Sequence, residues 1–198
     1  MVPSEPLPLD DRVFSAENEP DRCDCSGDCC TNHSILLTSN DVIRILDNVP
    51  SVNVHDLVVF YVSHAGYVDI DVLAGHPAIM LENEPCYLGL RFLTDEALGV
   101  QRCPFLDTTS HLCKIHEFKP MVCRAYPFLI DGGVLTRHER IRCKYPFHPR
   151  DAAEINALEA TLRQAYTEFE AFKLEIEAWN ESGQTDSPDA LFKALFKK

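Results

Sequence analysis

The chain has 198 residues, of which 45% are hydrophobic, and its formal net charge is −13. This length suffices for one compact domain but not for two full-sized domains. The acidic balance disfavours a phosphate-backbone partner, so we expect no nucleic-acid binding. The longest purely apolar stretch, 57–62, is far shorter than the roughly 20 residues that cross a bilayer, so we expect no membrane span.

The start of the chain and its nine cysteines suggest the compartment. Residues 1–6 show neither the basic start nor the apolar segment of a signal peptide, so we expect a cytoplasmic protein. Thiols are kept reduced in the cytoplasm, and clustered cysteines there indicate metal ligands or catalytic thiols before disulfides. The odd number of cysteines also argues against a complete disulfide framework.

The first half of the chain predicts a tail, two helices and two strands. Residues 1–22 hold four prolines and many acids, which predicts a mobile tail. A capping-box pattern predicts a helix after Thr38, whose apolar face would hold Val42, Ile45, Leu46 and Val49. We expect a second short helix over 54–64, and strands at 79–81 and 87–90.

The middle of the chain predicts a cysteine-rich irregular region followed by a hairpin. Residues 103–123 carry three spaced cysteines and little periodicity. Pro120 suits the first turn of a short helix that would carry Cys123 and Arg124. The Asp-Gly-Gly sequence at 131–133 predicts a turn between strands at 128–130 and 134–135.

The end of the chain predicts two helices. Over 151–179 the apolar residues recur every three or four positions, at Ile155, Leu158, Leu162, Ala165, Phe169, Phe172, Ile176 and Trp179. This repeat fits either a coiled coil or a helix packed along its own domain, and the bulky aromatic residues favour the second. A final helix should follow Ser187 and could dock on the body, on a protein partner or on a second copy.

Eight cysteines form two groups and are the predicted metal ligands. The set comprises Cys23, Cys25, Cys29, Cys30, Cys103, Cys113, Cys123 and Cys143. Soft thiolate ligands suit zinc or an iron–sulfur cluster. The alternative is that these are core cysteines. Four cysteines within the eight residues 23–30, among Asp, Ser and Gly, do not fit a core pattern. For the second group alone, both interpretations are equally supported. We assign Cys86, which lies in a predicted strand, to the core.

The spacing of the ligands leaves their number per ion open. Adjacent Cys29 and Cys30 should point apart, which favours two ions or one polynuclear centre. Eight thiolates fit two four-ligand sites or one larger cluster. His33 is a candidate replacement ligand, although a surface or hydrogen-bonding role is favoured.

The charge around the second cysteine group is positive. Residues 102–150 contain nine Lys or Arg against four Asp or Glu, so this segment is +5. The excess could compensate thiolates or bind another anion, and the cysteines favour compensation. We expect Arg124 to pair with a thiolate or an acid, and the helix start to lower the pKa of Cys123.

The cysteine motifs resemble those of a known family. The run Cys103-Pro-Phe-Leu, Cys113-Lys-Ile-His-Glu-Phe-Lys-Pro and Cys123-Arg-Ala-Tyr-Pro-Phe, with the group 23–30 before it, is similar to the YkgJ-type cysteine-cluster family of zinc- or iron-chelating CxxCxxCC domains. The similarity covers about 23–145. Three positions differ: Cys25 is shifted by one place, His116 stands where the family usually has Tyr, and Lys119 stands where it has Arg. A position that is Tyr elsewhere argues against His116 as a ligand.

The resemblance implies a metal-chelating domain of unknown role. We expect an α+β fold: a small single domain with an irregular cysteine-rich metal-binding centre, a small sheet and a long C-terminal helix. The predicted divisions are a tail at 1–22, a metal-binding domain at 23–150 and a helical extension at 151–198. An iron–sulfur protein in electron transfer, or a relative of flagellin lysine N-methylase, is the alternative, and whether the protein is an enzyme stays open.

Overall fold

The computed structural model describes residues 7–10, 27–62, 75–96, 99–138, 149, 151–183 and 187–196. The helices in these ranges are α1 (Ser39–Asn48), α2 (Val54–Leu57), α3 (Met121–Ala125), α4 (Ala152–Ser182) and α5 (Pro188–Leu195). The strands are β1 (Val58–Val62), β2 (Ile79–Leu81), β3 (Glu84–Leu90), β4 (Leu93–Asp95), β5 (Val100–Arg102), β6 (Phe128–Asp131) and β7 (Val134–Arg137). Small sheets and helices, one of them long, confirm the predicted α+β fold.

The central sheet is antiparallel and has the order β1-β3-β2. Its inward residues, such as Ile79, Leu88 and Leu90, are almost completely buried. The predicted helix over 54–64 is wrong over 58–62, because the chain turns there into β1, and residues 63–64 lie outside the described residues. The residues of β1 are β-branched or aromatic, which suits a pleated strand better than a helix, and β3 supplies the partner.

Two hairpins complete the strands. The hairpin of β6 and β7 turns at Gly132 and Gly133, both at positive φ, as the sequence predicts. The hairpin of β4 and β5 was not predicted from the sequence. Residues 7–10, part of the predicted tail, lie against β7, where the Asp10 amide donates to the Leu135 carbonyl at 3.1 Å.

Helix α1 begins with the predicted capping box. The Thr38 hydroxyl accepts from the amide of Asp41, and the Asp41 carboxylate accepts from the amide of Thr38 at 3.0 Å. Val42 and Ile45 on its inner face are fully buried. The local signals and the tertiary packing therefore agree on where this helix starts and which face it buries.

The C-terminal helices share the core of the sheet. All eight apolar positions predicted for α4 are buried or half-buried, and Phe172, Ile176 and Trp179 join the sheet residues in one cluster. Leu191 and Phe192 of α5 join the same cluster, so α5 docks on the body. Within the described ranges, no helix is both long and apolar enough to cross a bilayer.

Candidate metal centre

The first cysteine segment is held beside β5 by backbone hydrogen bonds. Gly27 adopts a positive φ of 75° and starts a single 3-10 turn over Asp28–Cys30. The Cys103 amide then donates to the Cys30 carbonyl at 2.8 Å. This backbone pairing, like that of two antiparallel strands, joins two predicted ligands that are 73 positions apart in the sequence.

A tight loop brings Cys113 to the same place. The Lys114 amide donates to the Phe105 carbonyl at 2.8 Å, and Leu106 bridges to Cys113. Between them, the Asp107 carboxylate accepts from the amides of Thr109 and Ser110, which lowers its pKa. The carboxylate thereby fixes the turn that returns the chain from Cys103 to Cys113.

The third segment is the short helix α3, which carries Cys123. Pro120 is its N-cap residue, so the predicted helix is confirmed with Pro120 one position earlier than the first turn. The amide of Met121, which has no partner within the helix, donates to the Asp41 carboxylate at 2.8 Å. Asp41, only 2% exposed, therefore caps α3 as well as α1.

These segments bring five thiols together, and we call Cys29, Cys30, Cys103, Cys113 and Cys123 the cysteine cluster. Cys30 lies at its centre, because it interacts electrostatically with each of the other four thiols. All five are free thiols, and Cys29 is exposed while the other four are half-buried. A metal bound here would therefore lie at the protein surface rather than deep in the core.

The two adjacent cysteines do not point apart as expected. Their sulfur atoms are 3.9 Å from each other, within the 3-10 turn over Asp28–Cys30. Sulfurs around a tetrahedral zinc at about 2.3 Å would lie about 3.8 Å apart. The spacing of Cys29 and Cys30 therefore fits two ligands of one ion, and the donor set fits zinc or iron.

The cluster disfavours thiolates unless a positive charge is supplied. A hydrogen bond with the Cys103 thiol is the main reason that the pKa of Cys30 rises to about 12. The bond to Cys30 likewise raises the pKa of Cys29, and burial raises that of Cys123. The predicted low pKa of Cys123 is thus wrong, since burial and neighbouring thiols outweigh the start of a five-residue helix.

One of the predicted cationic residues lies at the cluster. Lys119 lowers the pKa of both Cys29 and Cys123, although less than the thiols and burial raise it. A single ammonium group cannot balance several thiolates, whereas a divalent cation supplies the missing charge. The electrostatics therefore fit metal ligands better than a reactive nucleophile.

The remaining cysteines divide into two sets. Cys23, Cys25 and Cys143 lie outside the described residues. Cys86 is in the core as predicted: it is 4% exposed, its thiol donates to the Ile79 carbonyl at 3.3 Å, and burial raises its pKa to about 12. In the part of the chain that the structure describes, no three Cys, His, Asp or Glu side chains already form a metal-binding group.

The other candidate side chains take different places. His33 is half-buried, with its Nε2 atom inside the protein. His116 is exposed, and Lys119 is the main cause of its lowered pKa. Arg124 donates to the carbonyls of Glu117 and Lys119. The expected pairing with a thiolate or an acid is therefore wrong, and Arg124 instead stabilises the loop before α3.

Sequence reasoning missed one pair of charged residues near the site. Arg44 binds Asp41 at 2.8 Å and Glu168 of α4 at 2.5 Å. The capping box pointed to Asp41 as a cap of α1, but not to its bond with α3. Glu168 gives no local signal, because its partner lies 124 residues earlier in the chain.

The comparison with family models decides the relationship. The model of the CxxCxxCC family, described as "Putative zinc- or iron-chelating domain", matches residues 22–145, more than half of the chain. The chain belongs to the CxxCxxCC family. The match contains every predicted ligand of this CxxCxxCC protein and ends before α4, and membership supports metal binding. No curated protein and no solved structure matches the chain significantly.

Proposed function

We propose that this CxxCxxCC protein binds zinc or iron through clustered cysteine thiolates. The carrying observation is that Cys30 interacts electrostatically with four other cysteine thiols, and the five come from three separate segments. Chance burial of cysteines does not gather them at one point of the surface, next to a lysine. Eight thiolates, including Cys23, Cys25 and Cys143, are the proposed ligand set.

A bound cation would offset the electrostatic cost of the cluster. Each bound thiol releases its proton, and the cation replaces the charge that Lys119 alone does not balance. Metal binding then adds to folding stability, because the unfolded chain has no preformed site. A reducing compartment such as the cytoplasm fits this chemistry, since it keeps the thiols available.

Cobalt titration of the reduced, metal-free full chain tests the proposal. Cobalt(II) bound by thiolates gives an intense near-ultraviolet charge-transfer band, and added zinc should displace the cobalt and abolish the band. A parallel count with a thiol-reactive dye should find at least the five cluster thiols protected in the zinc-loaded protein. A chain that gives no such band, and whose thiols react equally with and without zinc, would refute the proposed function.

A polynuclear centre is a second candidate, and the number of thiols favours it. Five described cysteines already exceed the four ligands of a mononuclear tetrahedral site. One iron–sulfur cluster takes four cysteines, so a second cluster or ion would take the remaining thiols of the proposed set, and such a centre would allow electron transfer. Acid-labile sulfide in protein purified without air would support this candidate, and its absence from an iron-containing sample would exclude it.

A further inference from the structure

A chain of charged contacts runs from the long helix to the cysteine cluster. Glu168 of α4 accepts two hydrogen bonds from Arg44, at 2.5 and 2.7 Å. Arg44 also donates to Asp41 at 2.8 Å, and Asp41 accepts from the Met121 amide at the same distance. Met121 lies two residues before Cys123, so the chain of contacts ends at α3, the helix that carries this predicted ligand.

This chain of contacts is enclosed rather than solvent-exposed. The side chain of Asp41 is 2% exposed, that of Glu168 12% and that of Arg44 18%. Gln164 further fixes Glu168 with a hydrogen bond of 2.9 Å. Enclosed charge pairs of this kind hold their partners in one geometry, whereas exposed pairs contribute little.

The cysteine-bearing helix also packs directly on α4. Ala125 at the end of α3 and Leu162 of α4 belong to one buried cluster. The two ends of α3 therefore have different supports: a carboxylate at the start and apolar packing on α4 at the end. Both supports depend on α4, which lies beyond the region that defines the family.

We propose that α4 is a positioning element of the metal site, acting through Glu168, Arg44 and Asp41. Glu168 orients the Arg44 guanidinium, which holds the Asp41 carboxylate at the start of α3 and so fixes the place of Cys123. This inference rests on the proposed metal binding. Glu168, Arg44 and Asp41 are positioning residues and not ligands.

The cost of burying the Asp41 carboxylate explains why this chain of contacts matters. Asp41 needs Arg44 as its counter-ion, because an unpaired charge at 2% exposure is costly. The same carboxylate accepts from the Met121 amide, two residues before Cys123, so a displaced carboxylate would also displace the start of α3. Removing Glu168 takes away the contact that orients the Arg44 guanidinium, so Asp41 loses a counter-ion of fixed geometry beside α3.

The test measures zinc affinity of the full chain by competition with a chelating dye, and records the visible bands of the cobalt-loaded protein. Glu168→Gln keeps the shape of the side chain but removes its charge. Glu170→Gln is the matched control, since it breaks an exposed pair with Lys173 on the same helix. We expect a loss of about ten-fold in zinc affinity for Glu168→Gln, and less than about two-fold for the control.

Three further readouts separate positioning from simple stabilisation. The cobalt bands of Glu168→Gln should shift, because the ligand geometry changes. Asp41→Asn should weaken zinc binding more, and adding Glu168→Gln to it should cost little, since both act on one contact chain. If Glu168→Gln does not fold, Arg44→Lys replaces it, because an ammonium group lacks the planar guanidinium that holds Asp41 and Glu168 in one fixed geometry.

The outcomes distinguish this inference from the function on which it rests. A wild-type chain without a cobalt–thiolate band would refute metal binding and the positioning role together. A wild-type band with unchanged affinity and unchanged bands in Glu168→Gln would refute the positioning role alone. The same holds if Glu168→Gln lowers only the melting temperature, since the contacts would then be a structural tie.

Discussion

Cys30 interacts with the four other thiols of the cysteine cluster, and at the residue scale it is the side chain on which the proposed site depends. It lies 3.9 Å from the sulfur of Cys29 and interacts with the three thiols of the second group. Cys86 offers the same functional group in a different setting, inside the core. Comparing variants of Cys30 and Cys86 therefore distinguishes the loss of a metal ligand from the loss of any thiol.

Replacing Cys30 by alanine should abolish high-affinity metal binding, because it removes the central ligand. Cys86→Ala is the control, and we expect it to keep its metal while losing about 1 kcal/mol of stability through a small core cavity. Zinc per chain after gel filtration and urea midpoints measure the two effects. Full zinc occupancy in Cys30→Ala would show that the cluster is not centred on this residue.

His76 should make stability depend on pH. Burial and Lys173 lower the pKa of His76 to about 4, while its ring packs edge-on against Phe169. Because its pKa is about 6.5 when unfolded, the unfolded chain binds the proton first, and stability falls as pH drops from 6.5 towards 4. His76→Phe keeps a ring but cannot be protonated, so its urea midpoint should fall less between pH 7 and 4.5. An equal fall of the urea midpoint in the wild type and in His76→Phe would show that His76 does not cause the pH dependence.

The types of the site residues could be predicted from the sequence, but not their geometry. Clustered cysteines in polar surroundings indicated ligands, and five of them do lie together. The side-by-side arrangement of Cys29 and Cys30 depends on the 3-10 turn after Gly27, and the pKa of Cys123 on burial. Both are properties of the folded chain that residue spacing does not express.

At the scale of elements, Gly89 lets β1 and β3 pack closely. A Cβ atom at Gly89 would lie 2.2 Å from Cε2 of Tyr61, whose ring covers the glycine and whose hydroxyl donates to the Leu90 carbonyl at 3.1 Å. Glycine in a strand otherwise weakens it, so the close approach of the ring accounts for its presence here. The packing of the central sheet thus depends on one missing side chain.

Gly89→Ala should destabilise the protein by about 2 kcal/mol, because the methyl group displaces the Tyr61 ring. The double-mutant cycle with Tyr61→Ala provides the control. In that background the added methyl group has room, and its cost in the urea-derived free energy of unfolding should largely vanish. An equal cost in both backgrounds would place the strain elsewhere.

Elements with local signals were predictable, and those made by distant pairing were not. The capping box of α1, the Asp-Gly-Gly turn and the repeat in α4 each depend on residues within one continuous segment, and all three were confirmed. The sequence 54–62 fits a helix or a strand by itself. Its second half becomes β1 because β3, about 30 residues later, pairs with it.

At the scale of the whole molecule, the family region and the C-terminal helices share one core. Phe172, Ile176 and Trp179 of α4, with Leu191 and Phe192 of α5, pack against the central sheet. Burying five such side chains contributes about 10 kcal/mol, which is comparable to the whole stability of a domain. The predicted division into 23–150 and 151–198 therefore describes sequence regions, and we do not expect them to fold independently.

A chain ending at residue 150 should fail to fold, even with zinc, because the sheet loses its covering helices. Circular dichroism and amide dispersion in NMR spectra measure this. A chain ending at Phe196, which retains α5, is the control and should behave as the full protein. A cooperative melt of the 1–150 fragment would show that the extension is dispensable.

The measurement that tests the central claim most directly is the metal content of the full chain purified without air, together with its absorption spectrum. Metal binding by the cysteine cluster predicts zinc or iron in stoichiometric amount, and a melting temperature that drops when a chelator removes the metal under reducing conditions. Protein that contains no metal, and that melts at the same temperature before and after chelation, would contradict the account.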